Sequence, residues 1–420
     1  MIPVLVFALF VILTDLYAYK GLKVLFNKPV NKSIRFLFRA LYWFIPSLLV
    51  ALVIFAVFFR PVEPRPQVFN GYYYIIAFTL LFYLPKLVFI IFHFLDDIVH
   101  MATKVVKGIS RLFSVNNIPS GETYTGRSKF FSRVGIVIAI IPFMAVIYGV
   151  AIGRFDFRVV NKTLEFSNLP GSFDGFRIVH ISDLHIGSFY GYGKQVRRAV
   201  DIVNRQNPDV IFFTGDLVNN FTAELDGFID VLAQMDAPFG KYSILGNHDY
   251  GDYYQWKTAL AKEENMQDML TAQEDIGFRL LMNSWDSISL NGDKIAVIGV
   301  ENWGDPPFPV YGDLKQAMKG TEEFPFQILL SHDPSHWDAE VIGKTDIELT
   351  LSGHTHGMQV GIEIGNFSWS PGKFKYPRWG GLFVENDQYL YVNRGLGYIA
   401  FPGRIGMPPE ITVIEMKAVP

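Results

Sequence analysis

Four long apolar stretches in the first third of the chain restrict what it can fold into. They span residues 2–18, 40–59, 72–95 and 134–152. A helix of about 20 apolar residues crosses the hydrocarbon core of a bilayer, whereas helices of a soluble core seldom run this long without a polar face. We therefore predict an all-α transmembrane region of four helices in residues 1–153 and a separate domain in residues 154–420. The first stretch lacks the basic start and cleavage site of a signal peptide, so we expect it to be retained.

The basic residues between these helices predict an orientation in the membrane. The connections after the first and third helices each carry six Lys or Arg residues, and the connection between them carries two. These residues are Lys20, Lys23, Lys28, Lys32, Arg35 and Arg39; Lys104, Lys107, Arg111, Arg127, Lys129 and Arg133; and Arg60 and Arg65. Because short basic loops stay in the cytoplasm, we expect a multi-pass protein of the cytoplasmic (inner) membrane with both chain ends outside. The domain of residues 154–420 is then predicted to be extracytoplasmic.

Two features of the helical region allow alternative interpretations. Asp15 and Lys86 lie inside the predicted spans, where a lone charge is costly. They either pair with each other at similar depth, or Asp15 reaches the inner interface and Lys86 lies at a kink beside Pro85. Residues 97–115 have apolar side chains at helical spacing, which indicates an amphipathic helix on the inner membrane surface or a packed helix between spans.

After residue 153 the sequence changes to short apolar runs separated by helix-like stretches. The runs are FRIVHIS at 176–182, DVIFFTG at 209–215, KIAVIGV at 294–300, FQILLS at 326–331 and IELTLSG at 347–353. Near-continuous apolar strands are typical of sheets covered on both faces, so we predict an α/β or layered α+β domain. The formal charge of −3 gives no reason to expect nucleic acid binding, and the chain has no Cys. A metal ion would therefore need His, Asp, Glu or Asn ligands.

Polar side chains follow the predicted strands at the edge where open α/β sheets bind ligands. The candidates are Asp183 and His185; Asp216; Asn247, His248 and Asp249; His332; and His354 and His356. Oxygen and imidazole ligands without thiolates suit Mn, Fe, Zn or Co. The set is large enough for two ions with one carboxylate left to bridge them, and two adjacent ions can activate water for attack on phosphorus.

The ordered blocks Asp-x-His, Gly-Asp, Gly-Asn-His-Asp, His and Gly-His-x-His resemble those of the calcineurin-like metallophosphoesterases. The resemblance extends to the membrane-anchored bacterial branch of that family and covers about residues 176–415. The motifs shared with this branch are LLSHDP, LSGHTHG and a terminal stretch that begins with LYVNRGLG and ends with PPEI. It implies a sandwich of two mixed β-sheets flanked by helices. One departure is Met358, where the branch usually has Gly; it narrows the space beside His356.

The resemblance also implies roles for single residues. One divalent ion would be held by Asp183, His185 and His356, a second by Asn247, His332 and His354, and Asp216 would bridge the two. A hydroxide between the ions would attack phosphorus, and His248 would stabilise the transition state or protonate the leaving oxygen. We expect Asp249 to orient His248. Arg394 either binds a substrate phosphate or forms a structural ion pair, and His180 is expected to be a core residue.

The predicted function is hydrolysis of a phosphoester, with mono- and diesters both open. The membrane region favours a lipid-linked or cell-envelope substrate and contact with membrane lipids. A catalytically silent metal sensor is the alternative, and it would be expected to have lost a ligand. A transporter with a regulatory domain would need polar residues along several spans, where Asp15 and Lys86 are the candidates.

Overall fold

The computed structural model describes residues 2–23, 31–58, 66–112, 124–365 and 367–419. The chain divides into two compact units, which we call the helical unit and the sheet unit. The helical unit comprises Met1–Val62 and Gly71–Tyr148, and the sheet unit comprises Glu63–Asn70 and Gly149–Pro420.

Four long apolar helices form the first part of the chain. They are α1 (Ile2–Lys23), α2 (Lys32–Phe58), α3 (Pro66–Leu112) and α4 (Tyr124–Ala151). Each is long and apolar enough to cross a membrane, because even the 22 residues of α1 reach about 33 Å at the rise of an α-helix. The prediction of four membrane helices is confirmed. Of the basic residues used to predict orientation, Lys28, Arg60 and Arg65 lie outside the described residues.

Helix α3 is longer than the third predicted span. It continues without a break to Leu112, so the segment predicted as a separate surface helix from residue 97 onward is instead the end of α3. Residues 113–115 of that prediction lie outside the described residues. The apolar spacing correctly predicts a helix, but the sequence there has no Gly or Pro that would separate one helix from the next at residue 97.

Asp15 and Lys86 form an ion pair inside the helical unit. Lys86 Nζ lies 2.6 Å from Asp15 Oδ1, and the Tyr83 hydroxyl donates to Asp15 Oδ2 at 2.5 Å. The Tyr42 hydroxyl donates to the Asp15 carbonyl oxygen at 2.7 Å. Asp15 is fully buried, so the first of our two interpretations is the one the geometry supports.

We predict that Asp15→Ala lowers the free energy of unfolding by about 3–5 kcal/mol, because it leaves the Lys86 cation buried without its counter-ion. Asp15→Ala combined with Lys86→Met should recover most of that loss. Lys20→Ala is the matched control, since Lys20 pairs with Asp97 at 2.9 Å but is more than half exposed, and it should cost less than about 1 kcal/mol. Thermal unfolding of the purified chain in detergent measures all three. Equal losses for Asp15→Ala and Lys20→Ala would contradict a structural role for the buried pair.

The sheet unit contains fourteen strands in its described residues. They are β1 (Arg158–Phe166), β2 (Arg177–Ile181), β3 (Val210–Phe213), β4 (Lys241–Ser243), β5 (Phe278–Leu280), β6 (Ser284–Leu290), β7 (Asp293–Gly299), β8 (Gln327–Leu330), β9 (Leu349–Ser352), β10 (Ile362–Ile364), β11 (Phe367–Trp369), β12 (Gly381–Glu385), β13 (Gln388–Val392) and β14 (Glu410–Ala418). Helices α5 (Gly193–Asn204), α6 (Ile229–Leu232), α7 (Ala259–Ile276) and α8 (Leu314–Ala317) connect them.

The strands form two six-stranded mixed sheets and a separate hairpin. The first sheet has the order β1-β14-β2-β3-β4-β5, the second has the order β12-β13-β9-β8-β7-β6, and β10 pairs with β11. In the first sheet β2, β3 and β4 run parallel, and in the second β7, β8 and β9 run parallel. The carboxyl ends of neighbouring parallel strands therefore lie together in each sheet.

The two sheets pack face to face around a buried apolar core. Ile178 and Phe212 of the first sheet belong to one cluster with Val297, Leu330 and Leu351 of the second. A second cluster joins the opposite face of the first sheet to α5, α6 and α7. The alternate side chains of a strand point to opposite faces, so β3 contributes Phe212 to the first cluster and Phe213 to the second. The predicted fold class, a sandwich of two mixed sheets flanked by helices, is confirmed.

Candidate metal centre

The candidate residues meet where five parallel strands end. Asp183 and His185 follow β2, Asp216 follows β3, Asn247 and His248 follow β4, His332 follows β8, and His354 and His356 follow β9. The loops after the strands turn sharply. Positive φ angles, which are unusual for residues other than Gly, occur at five of these residues: Asp183, His185, Asp216, His354 and His356. Strained backbone of this kind concentrates at functional sites.

Two glycines leave the space that the cluster needs. A Cβ at Gly353 would lie 2.2 Å from an Asp183 carboxylate oxygen, and one at Gly246 would lie 2.2 Å from Asp216 Oδ1. No side chain can approach a neighbour so closely, so any other residue at either position would displace a carboxylate of the site.

One group of potential ligands consists of Asp183, His185 and His356, all buried, with ligand atoms within 4.8 Å of one another. His185 Nε2 lies 3.0 Å from His356 Nε2, and His356 Nε2 lies 3.3 Å from Asp183 Oδ1. His185 Nδ1 lies 3.2 Å from the Val218 carbonyl oxygen. That carbonyl can only accept, so Nδ1 carries the proton and the Nε2 lone pair faces the group.

A second group consists of Asp216, His332 and His354. His332 Nδ1 donates to the Thr214 carbonyl oxygen at 2.6 Å, so its Nε2 faces the group, 3.2 Å from Asp216 Oδ2. His354 Nε2 lies 2.8 Å from the Tyr376 hydroxyl, which leaves Nδ1 directed inward.

Two buried atoms of this region have no hydrogen-bond partner among the described residues. They are His354 Nδ1 and Asn247 Oδ1. Asn247 is oriented by its amide, which donates to the Tyr253 hydroxyl at 2.9 Å. Buried polar atoms without partners are costly, and a divalent cation would satisfy both because each can offer a lone pair. The donor set therefore fits a metal ion.

The Asp216 carboxylate lies between the two groups. Its Oδ2 is 3.5 Å from His185 Nε2 and 3.2 Å from His332 Nε2, while its Oδ1 accepts from the His248 backbone N–H at 2.9 Å. Burial alone raises the pKa of Asp216, but His332 and His248 outweigh burial and hold this pKa well below its usual range. The carboxylate is therefore ionised and faces ligand nitrogens of both groups.

The electrostatics of the histidines favour a cation at this place. Burial lowers the pKa of His185, so its imidazole is neutral, as a metal ligand must be. Burial acts in the same direction on His332, but the Asp216 carboxylate outweighs it and raises the pKa of His332 to about 10. The site thus stabilises a positive charge beside Asp216, and a metal ion would compete with this proton.

His248 lies beside both groups and has a separate environment. Its Nδ1 donates to the Asn219 carbonyl oxygen at 2.6 Å, so Nε2 carries the lone pair. Its ring packs 4.9 Å from the ring of His185 and 4.6 Å from that of Tyr253. Burial lowers the pKa of His248. Held in this way, the imidazole can gain or lose a proton at Nε2 while Nδ1 keeps its hydrogen bond to the Asn219 carbonyl oxygen.

Asp249 does not orient His248, so that prediction is wrong. Its carboxylate accepts hydrogen bonds from the backbone N–H groups of Asp216, Leu217, Val218 and Gly246. Because the carboxylate collects four donors from two loops, it fixes the backbone that carries Asp216. The Asn219 carbonyl holds His248 instead, and a main-chain partner of that kind has no sequence signal.

Arg394 forms ion pairs within the sheet unit. Its Nε donates to Glu410 and its Nη1 donates to Glu363, both at 2.5 Å. Of the two roles open to Arg394 from the sequence, this arrangement favours the structural ion pair. His180 is a fully buried core residue, as expected, and its Nε2 lies 2.9 Å from the Thr214 hydroxyl.

Sequence reasoning missed Arg404 and Glu224. Arg404 is buried, and its Nη2 lies 3.2 Å from His356 Nδ1 and 3.1 Å from the Gly395 carbonyl oxygen. Glu224 accepts from the backbone N–H groups of Asn219 at 2.5 Å and Asn220 at 3.1 Å, and so holds the loop that supports His248. The sequence contains a signal for Arg404, because Arg404 lies in the terminal motif that resembles the family. It contains none for Glu224, because Glu224 does not directly follow a strand.

The fold and this arrangement define a metallophosphoesterase, and comparison with known proteins agrees. The chain belongs to the calcineurin-like metallophosphoesterases. Residues 176–358 match the family model described as "Calcineurin-like phosphoesterase". Residues 1–154 match the model described as "Probable Calcineurin-like phosphoesterase, transmembrane domain".

Three relatives illustrate the similarity. The chain is 34% identical over 269 residues to the uncharacterized metallophosphoesterase YkuE of Bacillus subtilis. The match covers 62% of this chain and 86% of that protein. It is 32% identical to a transmembrane protein with metallophosphoesterase domain from Danio rerio, over 68% of this chain and 63% of the relative. It is 27% identical to the UDP-2,3-diacylglucosamine pyrophosphatase LpxG of Chlamydia muridarum, over 62% of this chain and 88% of the relative.

We predict a pH-dependent stability contribution from Glu224. Burial raises its pKa from 4.5 to about 8, so the folded state favours the protonated carboxyl. The resulting stabilisation is complete below pH 4.5 and is lost as the pH rises through about 8. Glu224→Gln is neutral at every pH and should therefore gain stability relative to the unmodified chain as the pH rises across this window.

Thermal unfolding of both proteins at a series of pH values measures this difference. The control is Glu263→Gln, which replaces an exposed carboxylate on α7 and should follow the unmodified chain at every pH. A difference for Glu224→Gln that stays constant with pH would show that the carboxyl does not titrate in this window.

Proposed function

We propose that the chain is a membrane-anchored phosphoester hydrolase that uses two divalent metal ions held side by side. The observation that carries this proposal is the position of Asp216, whose Oδ2 faces His185 Nε2 at 3.5 Å and His332 Nε2 at 3.2 Å. A single carboxylate between two sets of inward-facing ligand atoms suits a bridge between two ions.

The proposed ligands fall into two sets. Asp183, His185 and His356 would hold one ion, and Asn247, His332 and His354 would hold the other. Asp216 would bind both. Imidazole, carboxylate and amide ligands suit Mn, Fe, Zn or Co. When bound, two such ions lower the pKa of a shared water molecule and neutralise the charge that develops on the phosphoryl oxygens.

The chain supplies the orientation of these ligands. The carbonyls of Val218 and Thr214 fix the tautomers of His185 and His332, and the Tyr376 hydroxyl orients the ring of His354. Such outer contacts hold a ring in place and adjust how strongly it binds a metal. Asp249 fixes the backbone of the bridging residue. The ligands are thus held in position by hydrogen bonds outside the group.

His248 is proposed as the residue that acts on the leaving group. It belongs to neither ligand set, yet its ring lies 4.9 Å from that of His185. With Nδ1 bound to the Asn219 carbonyl, Nε2 is the atom at which His248 would take up a proton from water and then release it to a departing oxygen.

A lipid-linked phosphoester is the proposed substrate. Three aromatic side chains line the second ligand set: Phe308 packs 4.8 Å from the His354 ring, Tyr376 bonds His354, and Tyr253 bonds Asn247. An aromatic border suits a substrate that carries apolar groups beside its phosphate. Two further facts support this class of substrate: the four candidate membrane spans and the similarity to a protein named as a UDP-2,3-diacylglucosamine pyrophosphatase.

We predict that Asp216→Asn abolishes turnover and lowers the bound metal, because the amide removes the charge that serves both ions. Activity on bis(4-nitrophenyl) phosphate and metal content by mass spectrometry measure the two effects. Asp201→Asn, an exposed position on α5, should change neither. Near-normal hydrolysis by Asp216→Asn would refute the two-metal assignment.

We predict that His248→Ala keeps its metal but lowers turnover by about 10²–10⁴, the range for a positioned general acid. The physical reason is that His248 would transfer a proton to the leaving group and would bind neither ion. Turnover and metal content are measured on the same preparation. Loss of metal together with activity would make His248 a ligand and not an acid.

The catalytic part is proposed to lie outside the cytoplasmic membrane, from the distribution of Lys and Arg between the spans. A C-terminal tag should therefore be removed when intact spheroplasts are treated with an impermeant protease. The same tag on a sample opened with detergent provides the control for cleavage. Protection until the membrane is opened would place the catalytic part in the cytoplasm.

A further inference from the structure

The short hairpin of β10 and β11 presents an apolar face to solvent. Ile364 pairs with Phe367, and Ile362 pairs with Trp369, so all four side chains lie on one face of the hairpin. Ile364 is 71% exposed and Phe367 is 59% exposed. Soluble surfaces seldom leave so many adjacent large apolar side chains in water.

Phe374 extends this surface. It is 86% exposed, and its ring lies 6.4 Å from that of Trp369. Met358, the position where the sequence departs from the family pattern, is also more than half exposed. We call this set of side chains the apolar platform; it consists of Met358, Ile362, Ile364, Phe367, Trp369 and Phe374.

The other face of the hairpin attaches the platform to the sheet unit. Glu363 pairs with Ser368 on that face, and its carboxylate accepts from Arg394 at 2.5 Å. Arg394 is in turn bound to the buried Glu410 of β14. The platform is therefore held on the sheet unit by an ion-pair chain. Ile362, Ile364 and Phe367 are exposed, and Trp369 is half-buried.

The platform is connected to the candidate metal centre at both of its ends. Ile362 follows His356 by six residues, and Phe374 precedes Tyr376, the hydroxyl partner of His354, by two. The Ser370 hydroxyl also donates to the Gly357 carbonyl oxygen at 2.5 Å, which ties the two connections together. A surface that binds at the platform would thus be next to the ligands His354 and His356.

Two observations favour a bilayer as the partner of the platform. The same chain carries four candidate membrane spans, so the sheet unit is tethered to a lipid surface. Phe374 is flanked by Lys373 and Lys375; Lys375 is paired with Asp305, whereas Lys373 forms no salt bridge within the described part of the chain. Apolar tips with adjacent basic residues are typical of elements that insert shallowly into anionic membranes.

We propose that the apolar platform docks on an anionic phospholipid surface and so brings the metal centre to phosphoesters in that surface. This inference rests on the proposed function for its purpose, since docking places substrate lipids beside the ligands. The docking itself is a property of the platform and is measured without turnover.

The absence of Cys from the chain makes a direct test possible. The single variants Ile364→Cys and Phe374→Cys are labelled with an environment-sensitive fluorophore, in the full chain reconstituted in nanodiscs of phosphatidylcholine and phosphatidylglycerol. Leu260→Cys is the matched control, because Leu260 is an apolar residue of α7 that is 61% exposed. Brominated acyl chains should quench the labels at positions 364 and 374 and leave the label at position 260 unchanged.

A second pair of variants tests whether the surface acts as a unit. Ile364→Asp should reduce the quenching of the label at position 374, and its hydrolysis of bis(4-nitrophenyl) phosphate should remain unchanged, since the soluble ester needs no membrane. Asn161→Asp, at an exposed residue of β1, should affect neither measurement. Failure of hydrolysis in every protein would count against the proposed function, while the quenching would still decide the docking.

Absence of quenching at both position 364 and position 374 would overturn the proposal. Efficient cross-linking between two copies of the Phe374→Cys variant, with no effect of brominated lipid on the label, would also overturn it, because the platform would then be a contact between two chains.

Discussion

The buried Asp216 carboxylate is the group on which the rest of the centre depends. Its oxygens face His185, His332 and the His248 backbone N–H. A buried charge is stable only when it is paired and fully hydrogen-bonded. The inward-facing atoms of His354 and Asn247 beside it have no partner among the described residues, and a cation bound here would supply one. The buried negative charge of Asp216 therefore accounts for the histidine nitrogens and the backbone N–H group that surround it.

The fold achieves this arrangement by turning the chain abruptly at the ends of parallel strands. Five candidate ligands have left-handed backbone angles, each of which costs of order 1–3 kcal/mol. The cost is offset by hydrogen bonds that do not involve the ligands' own side chains. Asp249 binds four backbone N–H groups, and Glu224 binds two more. Two buried acids, neither of them a proposed ligand, therefore hold the loops on which the ligands depend.

Much of the architecture was predictable because it follows from repeating patterns. Apolar stretches of bilayer length predicted the four helices, and apolar strands that end in Asp, Asn or His predicted the edge of the sheets at which the centre lies. The chemical type of a ligand is visible in the sequence, and the order of the ligands along the chain is sufficient to recognise the family.

The predictions that failed concern partners, which patterns do not specify. Asp249 is adjacent to His248 in the chain, yet its carboxylate turns to the loop of Asp216, because four main-chain donors converge there. The end of the third span could not be located because α3 continues past residue 97 without a breaking residue there. Arg404 and Glu224 act through contacts between loops, and the apolar platform was invisible because three-residue strands carry too little periodicity to separate an exposed face from a buried one.

The most direct test of the two-metal account is the metal content of the active, purified chain. Mass spectrometry of protein prepared without added chelator should find two divalent ions per chain. Removal of these ions with a chelator should abolish phosphoester hydrolysis, and titration with Mn²⁺ should restore full turnover only when the second equivalent has bound. Full activity with one ion per chain, or with none, would contradict the account.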